Sequence, residues 1–211
     1  MFGQQAHKRF DEKEGIMMKT LFALLMTLAL GFSTAHAEET AFTPTESNIL
    51  VACFSATGNT WPLAEYAADY LNADLFRIEP EIPYTDADLD YNNNNSRANQ
   101  EMNDDASRPA LAATVENMAQ YDTVILAFPI WWGQAPRLIE TFIEAHDLTG
   151  KTVLTFCTSA SSGYGSTGDI LAALTGESVN WLEGKRFAAN TTAEEIGAWL
   201  EDSGISPYMA Q

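Results

Sequence analysis

Basic residues are scarce in this sequence, and their scarcity argues against functions that need a cationic surface. The 211 residues include 11 Lys and Arg against 29 Asp and Glu, which gives a formal net charge of −18 and an isoelectric point near 4.3. A surface this acidic repels the phosphates of nucleic acids and the headgroups of anionic lipids. We therefore expect no nucleic-acid partner and favour a small molecule or a basic protein.

Histidine and cysteine are also rare, which argues against metal and triad chemistry. The sequence contains 3 His and 2 Cys. Zinc sites draw on several His and Cys ligands, and a Ser-His-Asp triad needs a histidine beside its nucleophile. His146 follows an apolar helical pattern, a place typical of a surface or capping histidine. We predict no metal site and no catalytic side chain.

No apolar run reaches the length of about 20 residues that is needed to span a membrane. The run at residues 21–30 follows Lys19 and precedes the small-residue pattern Ala35-His36-Ala37. This order is typical of a secretory signal peptide. We expect cleavage near Ala37 and a periplasmic or secreted mature chain without membrane insertion.

The acidic residues among positions 1–16 do not fit a signal peptide, so we expect translation to start at Met17 or Met18. Residues 1–37 are then an upstream extension and a signal peptide. Residues 38–47 are small and polar, as in a tether. The folded domain is expected at 48–204, with a short tail at 205–211.

The rest of the sequence alternates short apolar runs with amphipathic segments. The pattern predicts strands at 48–55, 75–78, 121–128 and 152–157, and a last strand within 179–187. It predicts helices at 62–71, around 138–143, at 170–175 and after the capping-box pair Thr192 and Glu195. Such alternation is typical of an α/β protein with a parallel sheet and right-handed crossovers. The polar, acidic stretch at 80–111 is too long for a plain connection and is expected to be an insertion.

In an open parallel sheet, ligands bind at the carboxyl ends of the strands, so the loops there are the candidates. The loop after the first strand places hydroxyls, a glycine and an amide at a helix N-terminus, whose free N–H groups favour an anion. Its residues are Ser55, Ala56, Thr57, Gly58, Asn59 and Thr60. No Lys or Arg lies between Val51 and Phe76, so neutral donors alone would hold a phosphate here. The alternative interpretation is a Ser/Thr-rich helix cap.

Two further loops carry candidate ligand-binding residues. The loop after the third strand consists of Pro129, Ile130, Trp131, Trp132 and Gly133. Two adjacent tryptophans cannot both point into one core, so we expect one to be exposed towards a flat aromatic ligand, unless both pack under neighbouring loops. The loop after the fourth strand is rich in hydroxyls and glycines, whose N–H groups suit the edge of a planar ligand. Its candidates are Thr158, Ser159, Ala160, Ser161, Gly163, Tyr164 and Gly165.

Taken together, the three loops resemble those of the flavodoxin family. The pattern Ser-x-Thr-Gly-x-Thr at 55–60 is similar to the family's phosphate loop for FMN, and Pro-Ile-Trp-Trp-Gly at 129–133 is similar to the flavin loop of its short members. The resemblance implies a doubly wound, five-stranded parallel sheet of order 2-1-3-4-5 with helices on both faces. It also implies that residues 55–60 hold the phosphate, that 129–133 flank the isoalloxazine ring and that 158–165 border its pyrimidine edge.

With this strand order, one strand separates Cys53 from Cys157, so their distance is about 9–10 Å. A disulfide needs Cα atoms within about 7 Å. We predict two free thiols.

The resemblance leaves three functional hypotheses open. The first is an electron carrier with non-covalently bound FMN, whose acidic surface would dock a basic redox partner. The second is an FMN-dependent NAD(P)H:quinone-type reductase, for which Arg108 and Arg137 are the nearest candidates to hold a cofactor phosphate. The third is an exported binding protein that keeps the fold without redox activity.

Overall fold

The structure is a computed structural model, and it describes residues 48–207. The predicted signal peptide, the expected cleavage site near Ala37 and the expected tether all fall outside the described residues, as do the last four residues of the expected tail. None of the helices within 48–207 is both long and apolar enough to cross a membrane.

Six strand segments build a single parallel sheet. They are β1 (Ile49–Cys53), β2 (Asp74–Arg77), β3 (Thr123–Pro129), β4 (Thr152–Thr158), β5 (Asn180–Trp181) and β6 (Lys185–Phe187). The order is β2-β1-β3-β4-β5, and β6 also pairs with β4. The α/β fold and the strand order 2-1-3-4-5 predicted from the sequence are confirmed.

The helices cover both faces of the sheet. They are α1 (Trp61–Leu71), α2 (Arg97–Asn103), α3 (Arg137–Glu144), α4 (Thr167–Ala172) and α5 (Ala193–Asp202). Successive strand residues point to opposite faces, so a strand covered on both sides is apolar throughout. Leu50 and Leu126 pack with α3 and α4, whereas Val51 and Ile125 pack with α1 and α5. The predicted capping box of Thr192 and Glu195 is present at the start of α5.

The segment 179–187, which was expected to hold the last strand, contains two short strands. β5 pairs with the start of β4 and β6 with its end, so residues 182–184 interrupt the strand. Gly184 lies in this interruption, and a Cβ atom on it would approach the Tyr164 hydroxyl oxygen to 2.2 Å. Tyr164 therefore occupies space that a side chain at position 184 would need.

Both cysteines are free and buried. Cys53 belongs to the core on the α1 side and Cys157 to the core on the α3 side, so the sheet itself lies between the two thiols. The prediction of free thiols is confirmed. Burial raises the pKa of the Cys53 thiol far above its ordinary range and that of Cys157 to about 12, so neither is a reactive thiolate at neutral pH.

The insertion at 80–111 contains α2 and closes with an antiparallel bridge between Pro80 and Leu111. The Ser96 side chain caps α2 by accepting a hydrogen bond from the N–H of Asn99. The insertion thus has a folded backbone of its own, which the polar sequence alone did not define.

A network of charged side chains attaches the end of the insertion to α3. The buried Arg137 donates to Glu140 at 2.6 Å and also pairs with Asp105. Arg108 pairs with Glu140 and Glu144, both at 2.8 Å. The carboxylates compensate the buried guanidinium of Arg137, which would otherwise cost several kcal/mol.

Candidate functional site

The loop after β1 is organised by the Ser55 hydroxyl. Its oxygen accepts hydrogen bonds from the N–H groups of Thr60 at 3.0 Å and Trp61 at 3.2 Å, which are the first donors of α1. Pro62 follows and has no N–H, as is common in a first helical turn. Within residues 48–207 the backbone N–H groups of Thr57 and Asn59 have no acceptor, so they are the donors available to an anion.

Thr57 and Thr60 face different surroundings, although the sequence pattern treats them alike. The Thr60 side chain is fully buried, and its hydroxyl oxygen lies 2.8 Å from that of Thr158. Thr57 is exposed and accepts a hydrogen bond from the Asn59 side-chain amide at 3.1 Å. Thr60 therefore joins two loops, while Thr57 and Asn59 present polar groups to solvent. Gly58 has a φ of +80°, which a residue with a side chain rarely adopts.

The loop after β3 is a tight two-residue turn that separates the two tryptophans. The N–H and C=O groups of Trp131 bond to those of Gln134, and the residues between them have positive φ angles of +47° for Trp132 and +83° for Gly133. Two positive φ angles in sequence are characteristic of a type I′ turn. A left-handed tryptophan is uncommon and costs about 1–2 kcal/mol. Such strained residues cluster at ligand-binding sites.

The turn directs the tryptophans to different places. Trp132 is 44% exposed, whereas Trp131 is partly buried. Trp131 packs edge-on against Phe54 and Tyr84, with ring centroids 5.4 Å and 5.2 Å away. The expectation that one tryptophan is exposed is confirmed, and that residue is Trp132.

Tyr84 connects the insertion to the tryptophan loop. Its hydroxyl donates to Glu101 at 2.5 Å, and the guanidinium of Arg97 lies over its ring at 4.2 Å. Burial and the hydrogen bond to Glu101 raise the pKa of Tyr84 far above its ordinary range, so the phenol stays protonated. The insertion therefore supports Trp131 through the ring contact of Tyr84.

The loop after β4 turns back onto the sheet through Tyr164. Its hydroxyl hydrogen-bonds to the Thr155 hydroxyl on β4. The side chain is partly buried in the core below the loop, while Gly163 and Gly165 are exposed on either side of it. Tyr164 anchors the loop to β4. Earlier in the loop, Ser159 is partly exposed, and Ala160 and Ser161 are exposed.

Two cavities lie among these loops. One of about 340 Å³ is lined from all three of them, from β6 and from the residues that follow it; its lining residues are Thr57, Asn59, Pro129, Ile130, Trp131, Thr158, Ser159, Ala160, Arg186, Ala188 and Ala189. We call it the hydroxyl cavity. The other, of about 430 Å³, is lined by Thr57, Leu89, Tyr91, Ala98, Ile130, Trp131 and Trp132. We call it the aromatic cavity. Both volumes are in the range of cofactor sites.

The two cavities share Thr57, Ile130 and Trp131 among their lining residues, so they meet between the loops that follow β1 and β3. The hydroxyl cavity presents N–H and O–H donors, as a phosphate or a polyol would need. The aromatic cavity presents the exposed rings of Trp132 and Tyr91, as a planar ring would need. Together they fit a ligand with a polar, anionic arm and a flat aromatic head.

Ser55, Ala56, Arg77 and Tyr84 line a third cavity of about 310 Å³, between the carboxyl ends of β1 and β2. Ser55 and Ala56 are thus on the far side of the first loop from Asn59 and Thr158. The structure gathers eight of the predicted residues into the hydroxyl cavity, and it places Ser55, Thr60 and Tyr164 in the hydrogen bonds that hold the loops.

Comparison with known proteins identifies the family of this chain. The family model described as flavodoxin matches residues 48–203, which is nearly all of the described structure. This protein belongs to the flavodoxin family. No curated protein sequence matches it significantly.

Two solved structures are similar to this flavodoxin-family chain in sequence as well as in fold. A candidate flavoprotein from Bacteroides eggerthii is 46% identical, with a TM-score of 0.71, and the match covers 75% of this chain and 98% of that one. A candidate flavoprotein from Bacteroides uniformis is 40% identical, with a TM-score of 0.69, over 72% and 97% of the two chains. A flavoprotein from Lactobacillus acidophilus, solved in complex with FMN, shares the fold at 19% identity, with a TM-score of 0.54 over 65% and 91%.

Sequence reasoning missed several residues of this flavodoxin-family site. Leu89, Tyr91 and Ala98 come from the insertion, which no motif connected to the tryptophan loop. Arg186 follows the interruption in the last strand and lines the hydroxyl cavity, which no pattern in the sequence indicated. The signal in the sequence that could have suggested this contact is the aromatic Tyr91 next to the Asn-rich run at 92–95.

Proposed function

We propose that this protein binds FMN non-covalently at the two joined cavities and transfers electrons through it. The observation that carries the proposal is the meeting of the hydroxyl and aromatic cavities at Thr57, Ile130 and Trp131. One cavity offers donors for a phosphate and a ribityl chain, and the other offers aromatic faces for a three-ring head. The FMN complex of the Lactobacillus flavoprotein, which has this fold, supports the choice of ligand.

Residues in different parts of the site would bind different parts of FMN. The N–H groups of Thr57 and Asn59 lie at the start of α1, where the helix dipole favours the negative phosphate. The Trp132 ring projects from its left-handed turn into the aromatic cavity, where it would stack on the flat head of the flavin. Ser159 and Ala160 line the hydroxyl cavity, where backbone groups would meet polar atoms of the ligand.

Bound FMN would supply reversible electron transfer, and the protein would supply its binding, orientation and electrostatic environment. The exposed Trp132 and Tyr91 leave one side of the aromatic cavity open to the surface. Asp86, Asp88 and Asp90 lie in the same part of the insertion and are fully or partly exposed. An acidic rim beside an open cavity favours docking of a basic redox protein.

Electron transfer is favoured over hydride transfer from NAD(P)H because the two arginines considered for the phosphate of that cofactor are engaged in ion pairs away from the cavities. Arg108 and Arg137 both form ion pairs with Glu140 and lie at the junction of the insertion with α3. Neither lines the hydroxyl or the aromatic cavity. Binding a nicotinamide dinucleotide phosphate there would require breaking a partly buried network.

Stopped-flow mixing tests the proposal directly. The FMN-loaded protein is reduced without oxygen and mixed with cytochrome c, a basic one-electron acceptor. We expect rapid oxidation of the flavin, with a second-order rate that falls as salt screens the acidic surface. A loaded protein that does not reduce cytochrome c but steadily oxidises NADPH in the presence of a quinone would contradict the carrier proposal and support the reductase.

We also propose that the protein acts outside the cytoplasm, on the basis of the signal-peptide pattern ending at Ala37. Fractionation of cells that express the full sequence, followed by N-terminal sequencing, tests this. We expect an exported chain that begins at Glu38. A chain retained in the cytoplasm with its N-terminal segment intact would contradict the proposal.

A further inference from the structure

Arg186 on β6 lies beside the loop that follows β4. Its Nη2 atom donates hydrogen bonds to the carbonyl oxygens of Ser159 and, at 3.2 Å, Ala160. These contacts fix the guanidinium at the wall of the hydroxyl cavity, which Arg186 lines together with Ser159 and Ala160. The long side chain has therefore already lost much of its rotamer freedom before any ligand binds.

The guanidinium retains donors that the protein does not use. Its Nε atom is shielded from solvent and has no hydrogen-bond acceptor within residues 48–207. Nη1 likewise makes no hydrogen bond in this part of the chain. A buried donor without an acceptor costs about 1–3 kcal/mol and calls for a partner that is not part of the chain.

Arg186 shares its cavity with the anion-binding end of the first loop. Thr57 and Asn59, whose N–H groups have no acceptor among the described residues, line the same cavity. Of the residues that line the hydroxyl and aromatic cavities in the described range, Arg186 is the only cation.

Among the described residues, no carboxylate is paired with this cation. Arg97, Arg108 and Arg137 each form an ion pair, whereas the bonds of Arg186 go to neutral carbonyl groups. Its full positive charge therefore remains available to an anion that enters the cavity. Arginine is well suited to phosphate because its planar group offers several N–H donors in a fixed arrangement.

We propose that Arg186 recognises the phosphate of the bound flavin and so makes the site select the flavin monophosphate over the uncharged flavin. This inference rests on the proposed function. The resemblance assigned the phosphate to the uncharged loop at 55–60. The proposal adds a positively charged side chain from β6, at the edge of the sheet, to that loop. The ligand class is a flavin phosphate monoester, and riboflavin, which lacks the phosphate, is the matched probe.

The test compares the dissociation constants of FMN and riboflavin for the full chain and for Arg186→Gln. We expect the substitution to weaken FMN binding roughly tenfold or more while riboflavin binding changes less than about twofold. Arg186→Lys keeps the charge but loses the planar group, so we expect an intermediate preference for FMN. If R186Q does not fold, Arg186→Met, which keeps an unbranched side chain without the charge, replaces it.

Lys185→Gln is the control, because it removes an equal charge from the adjacent residue of β6. Lys185 is exposed, lies over the Phe187 ring at 5.2 Å and does not line the hydroxyl cavity. We expect K185Q to keep the wild-type ratio of the two dissociation constants.

Three results would overturn the inference. Equal weakening of FMN and riboflavin in R186Q would make Arg186 a clamp for the β4 loop only. Unchanged dissociation constants for both flavins in R186Q would remove Arg186 from phosphate recognition. A loss of preference in K185Q equal to that in R186Q would assign the effect to net charge. If the wild-type chain bound neither flavin, the proposed function itself would fail, which is a different result from all three.

Discussion

The hydroxyl groups of Thr60 and Thr158 lie 2.8 Å apart in the protein interior. Thr60 ends the loop after β1, and Thr158 ends β4, so one hydrogen bond joins two loops of the site across β3. The backbone adds a similar link, since the N–H of Ile130 donates to the carbonyl oxygen of Thr158 at 2.9 Å. The three loops are therefore fixed relative to one another before any ligand binds.

This link predicts different effects for two threonines of one motif. Thr60→Val leaves the buried Thr158 hydroxyl without its partner, so we expect the free energy of unfolding to fall by about 1–2 kcal/mol. Thr57→Val removes an exposed hydroxyl, so we expect a change below about 0.5 kcal/mol but roughly tenfold weaker FMN binding. Urea unfolding and FMN titration of both variants measure these effects. A T57V variant that lost stability while binding FMN normally would contradict the assignment.

Because Trp132 has a left-handed backbone conformation and an exposed ring, we expect it to lower the stability of the fold and to strengthen flavin binding. Trp132→Gly relieves the positive φ strain, so we expect the free energy of unfolding to stay equal or to rise by about 1 kcal/mol. The same change removes the exposed ring, and we expect FMN binding to weaken at least tenfold. Chemical denaturation and flavin fluorescence provide the two readouts.

Trp131→Ala is the matched comparison for the neighbouring ring. Trp131 packs against Phe54 and Tyr84, so its loss is expected to lower the free energy of unfolding by about 2–3 kcal/mol. If W131A were as stable as the wild type and W132G strongly destabilised, the roles assigned to the two rings would be reversed.

Gly184 lies against Tyr164, so a substitution at position 184 tests the packing of the loop after β4. In Gly184→Ala the new Cβ would lie 2.2 Å from the Tyr164 hydroxyl oxygen and 2.5 Å from that of Thr155. We expect Tyr164 to be displaced, with a loss of more than about 2 kcal/mol in stability and weaker FMN binding. Gly163→Ala in the same loop is the control, because its Cβ would meet nothing closer than 3.9 Å. Equal behaviour of the two variants in thermal unfolding would rule out the contact.

His146 predicts a loss of stability in mild acid. Its Nδ1–H donates to the carbonyl of Phe142 at 2.7 Å, and its Nε2 accepts from the N–H of Val115 at 2.9 Å, so the bound ring is neutral. Burial lowers its pKa below the ordinary value of 6.5. Below pH 6.5 the unfolded chain therefore takes up a proton more readily than the folded one, and stability falls until the folded-state pKa is reached.

The non-titrating variant His146→Gln isolates this contribution from that of the carboxylates. We expect the difference in unfolding free energy between the wild type and H146Q to shrink as the pH falls from 7.5 to 5.0. A difference that does not change with pH would show that His146 does not titrate on unfolding. The sequence suggested a surface or capping histidine, and the ring does bond to the Phe142 carbonyl in the last turn of α3. The contact with Val115, beyond the insertion, was not predicted.

The predictable part of the site consists of contacts that follow from strand order. Because parallel strands end at one edge, the loops at 55–60, 129–133 and 158–165 could be expected to meet there. The capping box at Thr192 was readable because its two residues are close in sequence. The exposure of one tryptophan also followed from the sequence, although only the turn geometry showed that it is Trp132.

The unpredictable part depends on contacts between distant residues. Arg186 lies 27 positions from Ser159, and it reaches that residue because β6 pairs with the end of β4 beyond an interruption that periodicity did not reveal. Tyr84 meets Trp131 only because the insertion folds back along the sheet edge. Neither contact leaves a local pattern in the sequence.

The most direct test of the account is an absorbance and tryptophan-fluorescence titration of the wild-type chain with FMN. We predict one FMN bound per chain, shifted flavin absorption bands, and quenching of tryptophan emission that is reduced in W132G. An absence of binding at high micromolar FMN, with the protein shown to be folded, would contradict the claim that the joined cavities form a flavin site.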